Sequence, residues 1–286
     1  MTGASRLTDL VSPTLLTGRA VFVTGGGSGI NYAIADAFAS VGANVAICGR
    51  TPEKLDAAAE TLRRHGTRIL AAPADVRDAE ALDAAVDLAA TEFGGLDTVV
   101  AGAAGNFYAP AESISPNGFR TVVDIDLLGS FHTARAAFDH LKVSHGSILF
   151  VSAGQAYLSF SHQAHVGAAK AGIENLMANL ALEWGRHGIR SNSIVPGPIE
   201  GTEGMKRLAE PVGTDAWTAA VPLGRFGRAE EIAAMAVVLS SPLASYITGA
   251  RVVVDGGLGL SGLGALSRTI AEAVTASRTE KEASKP

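Results

Sequence analysis

Residues 20–31 read AVFVTGGGSGIN, a short apolar run that leads into a glycine-rich turn. An alanine-rich stretch with apolar residues at helical spacing follows, from Ile30 to Val41. The pattern predicts a strand, a tight loop and the start of a helix. Gly25 can take the positive φ of a sharp turn, and Gly29 lets the backbone approach a ligand closely. Because such a loop directs N–H groups at a phosphate, the segment predicts a dinucleotide site, and a purely structural turn is the alternative.

The composition indicates one large α/β domain rather than a nucleic-acid or membrane protein. The chain has 286 residues, of which 47% are hydrophobic and 18% charged, with a net charge of −5. A non-specific nucleic-acid binder would carry a basic face. Cys48 is the only cysteine, so an intrachain disulfide is excluded and a reducing compartment is favoured. No apolar run approaches the roughly 20 residues that span a bilayer. We therefore expect a cytoplasmic protein with no nucleic-acid or membrane partner, and we assign no metal ligands.

Apolar runs alternate with helical patterns along the chain. Continuously apolar runs such as Ser147–Val151 are typical of strands buried on both faces. The alternation predicts a Rossmann-type, doubly wound parallel sheet of about seven strands, with helices on both faces. The predicted strands are Ala20–Thr24, Asn44–Cys48, Arg68–Ala72, Thr98–Ala101, Ser147–Val151, Arg190–Val195 and Arg251–Asp255. The predicted helices are Ile30–Val41, Pro52–His65, Ala79–Phe93, Asn117–Leu141, His165–His187 and Ala229–Ser240.

Three segments flank or interrupt this alternation. Residues 1–17 are interpreted as an extension on the surface of a single domain at 18–262, and 263–286 as a polar C-terminal tail. The segment from Pro196 to about Leu223 is rich in glycine and proline. An irregular stretch of that length inside a compact domain usually serves as a lid or binding loop. We expect it to contact the substrate.

The end of the second predicted strand indicates which dinucleotide binds. In dinucleotide folds an acidic residue about 20 positions after the glycine loop holds the ribose 2′-OH of NAD. Here the sequence is Ile47-Cys48-Gly49-Arg50-Thr51, which offers no carboxylate. Arg50 can instead pair with a 2′-phosphate. The pattern therefore favours NADP over NAD, with a solvated surface charge as the alternative reading of Arg50.

Several motifs, taken in order, resemble those of the short-chain dehydrogenase/reductase family from about Gly18 to Gly259. The glycine loop resembles the family's cofactor loop, although Asn31 stands where the last glycine is usual. We expect only a local adjustment there. The resemblance implies that the cofactor is held by a set of residues spread over the chain. They are Gly25, Gly27, Ser28, Gly29, Ile30, Arg50, Asp75, Val76, Ala101, Gly102, Lys170, Pro196, Gly197 and Ile199.

The family's usual carbonyl-reducing residues are largely missing. Four positions before Lys170, where most members carry a proton-donating tyrosine, the chain has Val166. Ala153 occupies the position of the family's serine, with Ser152 beside it, and Asp126 occupies that of its asparagine. Of the usual set only the lysine remains, so a ketoreductase of the usual kind is not expected.

Within the family the chain resembles 2,4-dienoyl-CoA reductases of the peroxisomal type and their bacterial relatives. Four segments carry this resemblance, at 103–107, 123–126, 163–170 and 196–204, and the GTEG run at 201–204 is the most specific. The resemblance implies NADPH-dependent reduction of 2,4-dienoyl-CoA or enoyl-CoA thioesters in fatty acid metabolism, by a homotetramer. In that branch the tyrosine is displaced or is replaced by an aspartate and a water molecule.

Three residues are therefore predicted to be catalytic. Lys170 supplies positive charge, Asn106 offers an amide N–H to the thioester oxygen, and Asp126 orients a water that delivers the proton. Asp126 as a structural ion-pair partner is the alternative. Two other functions stay open at this point. One is a carbonyl or hydroxyacyl oxidoreductase in which Tyr157 or His165 donates the proton, and the other is a non-catalytic NADP-binding sensor.

Overall fold

The protein is built on seven parallel strands in the order β3-β2-β1-β4-β5-β6-β7. The structure, a computed structural model, describes residues 7–209 and 213–263. The predicted fold class is confirmed, and the strand bounds differ from the predicted ones by one residue at most. The strands are β1 Ala20–Thr24, β2 Asn44–Gly49, β3 Ile69–Pro73, β4 Thr98–Ala101, β5 Ser147–Val151, β6 Arg190–Pro196 and β7 Arg251–Val254.

The strand order reverses at β1, which pairs with β2 on one side and with β4 on the other. Val21 of β1 lies opposite Val45 of β2 and also opposite Thr98 of β4. In open α/β sheets the loops at the carboxyl ends of the strands separate at such a reversal and leave a crevice for ligands. The glycine-rich loop after β1 and the loop after β4 form the two sides of this crevice.

Helices cover both faces of the sheet, because successive side chains of each strand point to opposite faces. Val21 and Val23 pack against α2, α3 and α10, whereas Ala20 and Phe22 pack against α4, α6 and α7. The helices are α1 Leu7–Leu10, α2 Gly29–Ser40, α3 Pro52–Leu62, α4 Ala79–Phe93, α5 Pro116–Val123, α6 Gly129–Ser144, α7 Ala164–Trp184, α8 Glu203–Ala209, α9 Gly213–Ala220 and α10 Ala229–Ser240.

One predicted helix is interrupted. The pattern over Asn117–Leu141 predicted a continuous α-helix, but Asp124–Leu128 forms a π-helical turn between α5 and α6. A π turn holds one residue more than an α turn, and π-bulges of this kind are frequent at functional sites. Hydrophobic periodicity does not reveal such an insertion, because α5 and α6 on either side of it each keep the helical spacing of apolar residues.

The segment at 196–223 is more regular than predicted. β6 extends to Pro196, and the short helices α8 and α9 lie within the stretch that was expected to be irregular. The glycines and prolines that indicated a loop lie mainly in the turns around these helices. Separately, no helix among the described residues is long and apolar enough to cross a bilayer.

The N-terminal extension is attached to the domain core. Leu16 is buried in the apolar cluster that contains α2, and its N–H donates to Val41 O at 2.9 Å. Most of the predicted C-terminal tail lies outside the described residues, which end in a 3₁₀ turn at Leu258–Leu263.

Candidate active site

The glycine-rich loop turns sharply at the carboxyl end of β1. Gly25 and Gly29 adopt φ values of +71° and +59°, a backbone conformation that residues with a side chain rarely adopt. The Gly25 N–H donates to Cys48 O at 2.8 Å, which pins the loop to the end of β2. A Cβ on Gly26 would lie 2.7 Å from Ile47 Cγ2, so this position also requires glycine. Because α2 begins at Gly29, the N–H groups of its first turn have no intrahelical acceptor and favour an anion.

Asn31 ties the two sides of the crevice together. Its Nδ2 donates to Gly102 O at 2.7 Å in the loop after β4. The side chain fills the space that a Cβ on Gly102 would need. Thr24 Oγ1 accepts from the Gly102 N–H at 3.0 Å and reinforces the same connection. The residue that departs from the family's glycine pattern thus makes a specific contact, which the spacing of the loop did not reveal.

Arg50 follows β2 and is exposed at the rim of the crevice. None of the ion pairs found among the described residues involves its guanidinium. Nearby Asp75 is held by Arg77, whose Nη2 lies 2.5 Å from Asp75 Oδ2. The hydrogen bond from Arg77 lowers the pKa of Asp75, and the charge of Arg50 lowers it further. The rim therefore presents an unpaired cation beside a carboxylate that already has its own partner.

Asp126 and Lys170 form a buried ion pair at the back of the crevice. Lys170 Nζ, on α7, lies 3.1 Å from Asp126 Oδ2, on the π-helical turn. Asp126 is 0% exposed and Lys170 is 5% exposed. Asp126 Oδ1 accepts from the Gly105 N–H at 2.6 Å, and Lys170 Nζ donates to Val151 O at 3.1 Å. A buried carboxylate is stable when it is paired and hydrogen-bonded in this way. The pair thus connects α7 and the π-helical turn with the loop after β4 and the end of β5.

The third predicted catalytic residue, Asn106, lies next to Gly105 on the loop after β4. Its Oδ1 is buried and has no hydrogen-bond partner among the described residues. Phe107 follows, and its ring packs against His165 with 4.1 Å between ring centroids. Gln163 Nε2 donates to Phe107 O at 2.9 Å. The structure therefore holds the Asn106 loop against the start of α7, near the Asp126–Lys170 pair.

The segment that begins at Pro196 passes over the end of β7. The Gly197 N–H donates to Val254 O at 3.0 Å, and a Cβ on Gly197 would lie 2.6 Å from Asp255 Cα. Ile199 is 3% exposed and forms a bridge with Gly227. Farther along, Trp217 of α9 stacks on Phe160 of the loop after β5, with centroids 5.8 Å apart and planes 15° apart. This stack connects the two segments that border the crevice, and sequence reasoning did not find it.

Comparison with known proteins identifies the family. A family model described as enoyl-(acyl carrier protein) reductase matches residues 25–259. The chain belongs to the short-chain dehydrogenase/reductase family of oxidoreductases. A short-chain dehydrogenase from Bacillus anthracis, 38% identical, superposes with a TM-score of 0.76 over 84% of this chain and 96% of that one. Members of this family bind nicotinamide cofactors, which fits the crevice at the β1 reversal.

Two curated relatives carry a more specific name. The peroxisomal 2,4-dienoyl-CoA reductase SPS19, (3E)-enoyl-CoA-producing, of Saccharomyces cerevisiae is 48% identical over 250 residues, which cover 86% of each chain. A Bacillus subtilis protein named "Probable 2,4-dienoyl-CoA reductase", (2E)-enoyl-CoA-producing, is 41% identical over 243 residues. These residues cover 84% of this chain and 96% of the relative.

The positions of the short-chain dehydrogenase/reductase tyrosine and serine lack a conventional proton donor. Val166 is 3% exposed and packs with Val122 and Ala169 in a small apolar cluster. Ala153 stands at the serine position, and the Oγ of the neighbouring Ser152 is buried with no partner among the described residues. The structure accordingly leaves Lys170, now paired with Asp126, as the charged centre of the site.

Tyr157, one of the two alternative proton donors, is engaged elsewhere. The Arg251 guanidinium lies 4.5 Å from the centroid of its ring, and Arg251 Nε donates to Glu174 Oε2 at 2.8 Å. Burial raises the pKa of Tyr157, and the charge of Asp255 raises it further. A phenol with a raised pKa is a weaker acid near neutral pH. These contacts favour a packing role for Tyr157 beside β7.

Proposed function

We propose that this short-chain dehydrogenase/reductase is an NADPH-dependent reductase of 2,4-dienoyl-CoA or enoyl-CoA thioesters in fatty acid metabolism. The observation that carries the proposal is the buried Asp126–Lys170 pair, at 3.1 Å, in a site where Val166 replaces the family's tyrosine. Curated relatives at 40–48% identity are named 2,4-dienoyl-CoA reductases, which supports the same substrate class.

The residues of the crevice fit a dinucleotide that carries a 2′-phosphate. Exposed and unpaired Arg50 suits that phosphate, because a guanidinium binds phosphate oxygens through two parallel hydrogen bonds. The first turn of α2 suits the pyrophosphate, the Asp75-Val76 pair suits the adenine, and the loop from Ala101 suits the ribose next to the nicotinamide. Gly197 and its neighbours suit the nicotinamide. When bound, the reduced nicotinamide supplies the hydride.

The charges at the back of the site suit a reaction that builds negative charge on a thioester oxygen. Lys170 carries the positive charge that stabilises a dienolate, and the Asn106 amide supplies a hydrogen-bond donor to the same oxygen. Asp126 is paired with Lys170, so we assign it the ionised state in which it accepts hydrogen bonds. Its role is then to orient a water molecule, which protonates a carbon of the dienolate.

The segment at 196–223 is proposed to cover the acyl chain. Phe107 and Phe160 are both 39% exposed at the crevice and offer an apolar wall, whereas Met205 is buried and belongs to the packing of α8. The Phe160–Trp217 stack would keep α9 against this wall. An acyl chain needs such a concave apolar surface next to a few polar groups.

A homotetramer is proposed from the resemblance, and apolar surface on α6 and α7 supports it. Phe131 is 44% exposed and Leu182 is 82% exposed, and a hollow of about 660 Å³ lies between α4, α6 and α7. Surface of this kind suits a second copy of the chain. We also propose a cytoplasmic location, because the single cysteine of the chain, Cys48, is a free thiol, as suits a reducing compartment. Cell fractionation distinguishes this from the peroxisomal location of several relatives.

NADPH oxidation by the purified protein tests the proposed activity. We would offer 2,4-hexadienoyl-CoA, 2-hexenoyl-CoA and acetoacetyl-CoA in parallel and determine the position of the remaining double bond in the product by NMR. Turnover of the dienoyl thioester supports the proposal, and the product then indicates whether this chain follows its yeast or its Bacillus relative. Turnover of acetoacetyl-CoA alone would instead indicate a carbonyl reductase. Tight NADPH binding with none of the three turned over would favour a non-catalytic protein.

A further inference from the structure

Buried polar atoms without a hydrogen-bond partner gather around the Asp126–Lys170 pair. In the described part of the chain, ten such side-chain atoms belong to nine residues. Six of the ten lie on the segments that meet near Lys170. They are Asn106 Oδ1, Ser152 Oγ, Gln163 Oε1, both ring nitrogens of His165, and Asp126 Oδ2, which does contact Lys170 Nζ in the ion pair. Because buried polar groups in folded proteins bond either to protein or to ordered water, this concentration indicates a hydrated pocket within the site.

His165 is the titratable residue of this group that the proposed function leaves unused. Its side chain is 0% exposed, and one face of the ring packs on Phe107. Burial lowers the pKa of His165, and the Phe107 carbonyl and the charge of Asp126 partly offset this. Neither ring nitrogen meets hydrogen-bond geometry with any described residue. The imidazole is thus fixed in place by packing, with one nitrogen near the Phe107 carbonyl and the other available to a water molecule.

The turn that precedes His165 is hydrogen-bonded to the loop after β4. The Ala109 N–H donates to His162 O at 3.2 Å, and Gln163 Nε2 donates to Phe107 O at 2.9 Å. His162 adopts a φ of +66°, a left-handed conformation that costs a non-glycine residue energy and persists where its surroundings require it. The turn before α7 therefore holds His165 against the loop that carries Asn106 and Gly105, and Gly105 in turn binds Asp126.

We propose that His165 is a positioning residue which, together with Asp126, holds the water molecule that protonates the substrate carbon. The inference rests on the proposed function and adds a second anchor to the water assigned to Asp126. A carboxylate only accepts hydrogen bonds, whereas a neutral imidazole donates through one nitrogen and accepts through the other. Only one ring nitrogen can meet a given water, so one anchor at His165 and one at Asp126 together fix both the position and the orientation of that water.

The proton balance of this step is simple. An O–H bond of the held water breaks as the C–H bond forms on the dienolate, and the hydroxide that remains takes a proton from bulk water through the hydrated pocket. His165 and Asp126 keep their own protonation states throughout. The imidazole thus contributes geometry, which an amide of similar reach can partly replace.

Two substitutions at position 165 separate hydrogen bonding from packing. His165→Phe keeps an aromatic ring against Phe107 but removes both nitrogens, whereas His165→Gln restores one donor and one acceptor. His65→Phe, in the turn after α3, is a matched control, because His65 pairs with Asp36 in the middle of α2 and neither residue is assigned to the cofactor, the substrate or a subunit contact. NADPH affinity, measured by fluorescence titration, is expected to be unchanged in all three variants and reports that each is folded.

The expected result is a loss of kcat in His165→Phe of about tenfold to a hundredfold, with partial recovery in His165→Gln. This loss lies below the roughly 100- to 10,000-fold typical of a group that transfers the proton itself, because His165 acts through the water. The solvent deuterium isotope effect on kcat should rise in His165→Phe. The isotope effect on kcat measured with NADPH that carries deuterium in place of the transferred hydride should fall. Protonation then becomes slower than hydride transfer, so hydride transfer no longer limits kcat. A change in packing alone would not shift the two isotope effects in opposite directions.

Wild-type kcat and isotope effects in His165→Phe, with an active wild-type enzyme, would overturn this inference alone. Equal losses in His165→Phe and His165→Gln, with weaker NADPH binding in both, would also overturn it and indicate a packing role. Absence of dienoyl-CoA turnover in the wild type would overturn the proposed function, and the inference with it.

Discussion

The two sides of the crevice offer different groups to the ligands that we propose for them. The β1–β2 side presents backbone: a loop with Gly25 and Gly29 at positive φ, and the N–H groups at the start of α2. The opposite side presents side chains: a buried carboxylate and a buried ammonium 3.1 Å apart, brought together from α7 and a π-helical turn. The first side suits any dinucleotide, whereas the second carries the charges that we propose for the chemistry. Substitutions should therefore affect cofactor binding on one side and turnover on the other.

The largest expected effect, on both stability and kcat, comes from Lys170→Ala on the side of the crevice that carries the buried ion pair. The variant leaves Asp126 buried without its cation, which costs about 3–5 kcal/mol of folding free energy in comparable cases. It also removes the charge that stabilises the dienolate, so kcat should fall by about a hundredfold or more. Urea unfolding and NADPH oxidation measure the two effects. Lys142→Ala, at the exposed end of α6, serves as the control and should change neither by much. A Lys170→Ala enzyme with wild-type kcat would contradict the assignment of turnover to this side of the crevice.

Arg50→Ala tests the β1–β2 side of the crevice by removing its unpaired cation. Loss of the contact to the 2′-phosphate should raise KM for NADPH by about tenfold to a hundredfold, the range expected for a hydrogen bond to a charged group. KM for NADH and kcat should change little, because the pyrophosphate contacts and the Asp126–Lys170 pair are intact. Arg63→Ala is a matched control, since Arg63 is exposed and pairs with Glu60 on α3. An unchanged ratio of the two KM values would contradict an NADP-specific site.

The connection between the two halves can be tested by a double-mutant cycle at Asn31 and Gly102. Gly102→Ala alone should destabilise the protein, because the Asn31 side chain occupies the space that the new Cβ needs. In an Asn31→Gly background the same change should cost about 1–3 kcal/mol less, the size of coupling usual for contacting residues. Thermal unfolding gives the coupling energy. Additive effects of the two substitutions would show that Asn31 does not connect the halves.

A smaller effect concerns the anchor of the substrate segment at α10. Arg225 hydrogen-bonds to Glu231, and this contact lowers the pKa of Glu231 to about 2 from 4.5. A depressed folded-state pKa gives stability that is present above pH 4.5 and is lost as the pH falls towards 2. Glu231→Gln should therefore lower Tm at pH 7 and leave it nearly unchanged near pH 2. An equal decrease at both pH values would argue against this ion pair as the source.

The two halves also differ in how far the sequence predicts them. Alternating apolar runs predict all seven strands to within one residue, because each strand must be apolar on both faces to be buried between helices. Gly25 and Gly29 indicate the cofactor loop, since their backbone conformation depends on the residue type itself. Asp126 and Lys170 were found through the resemblance. Their contact depends on the π turn at Asp124–Leu128, an insertion that local periodicity does not record.

The sequence pattern does not predict contacts between segments that are distant in the chain. The hydrogen bond from Asn31 to Gly102 and the stack of Phe160 on Trp217 join residues far apart in the chain. Each residue alone looks like an ordinary polar or aromatic position. Likewise, burial of both His165 nitrogens follows from the turn at His162 and the packing of Phe107, so only the assembled site reveals it.

The most direct test of the central claim is the rate of NADPH oxidation with 2,4-hexadienoyl-CoA for the wild type and for Asp126→Asn. The substitution keeps the size of the side chain and removes the charge that pairs with Lys170. We predict turnover by the wild type and a loss of about a hundredfold in kcat for Asp126→Asn, with KM for NADPH nearly unchanged. Equal rates for the two proteins would contradict a catalytic centre at the Asp126–Lys170 pair.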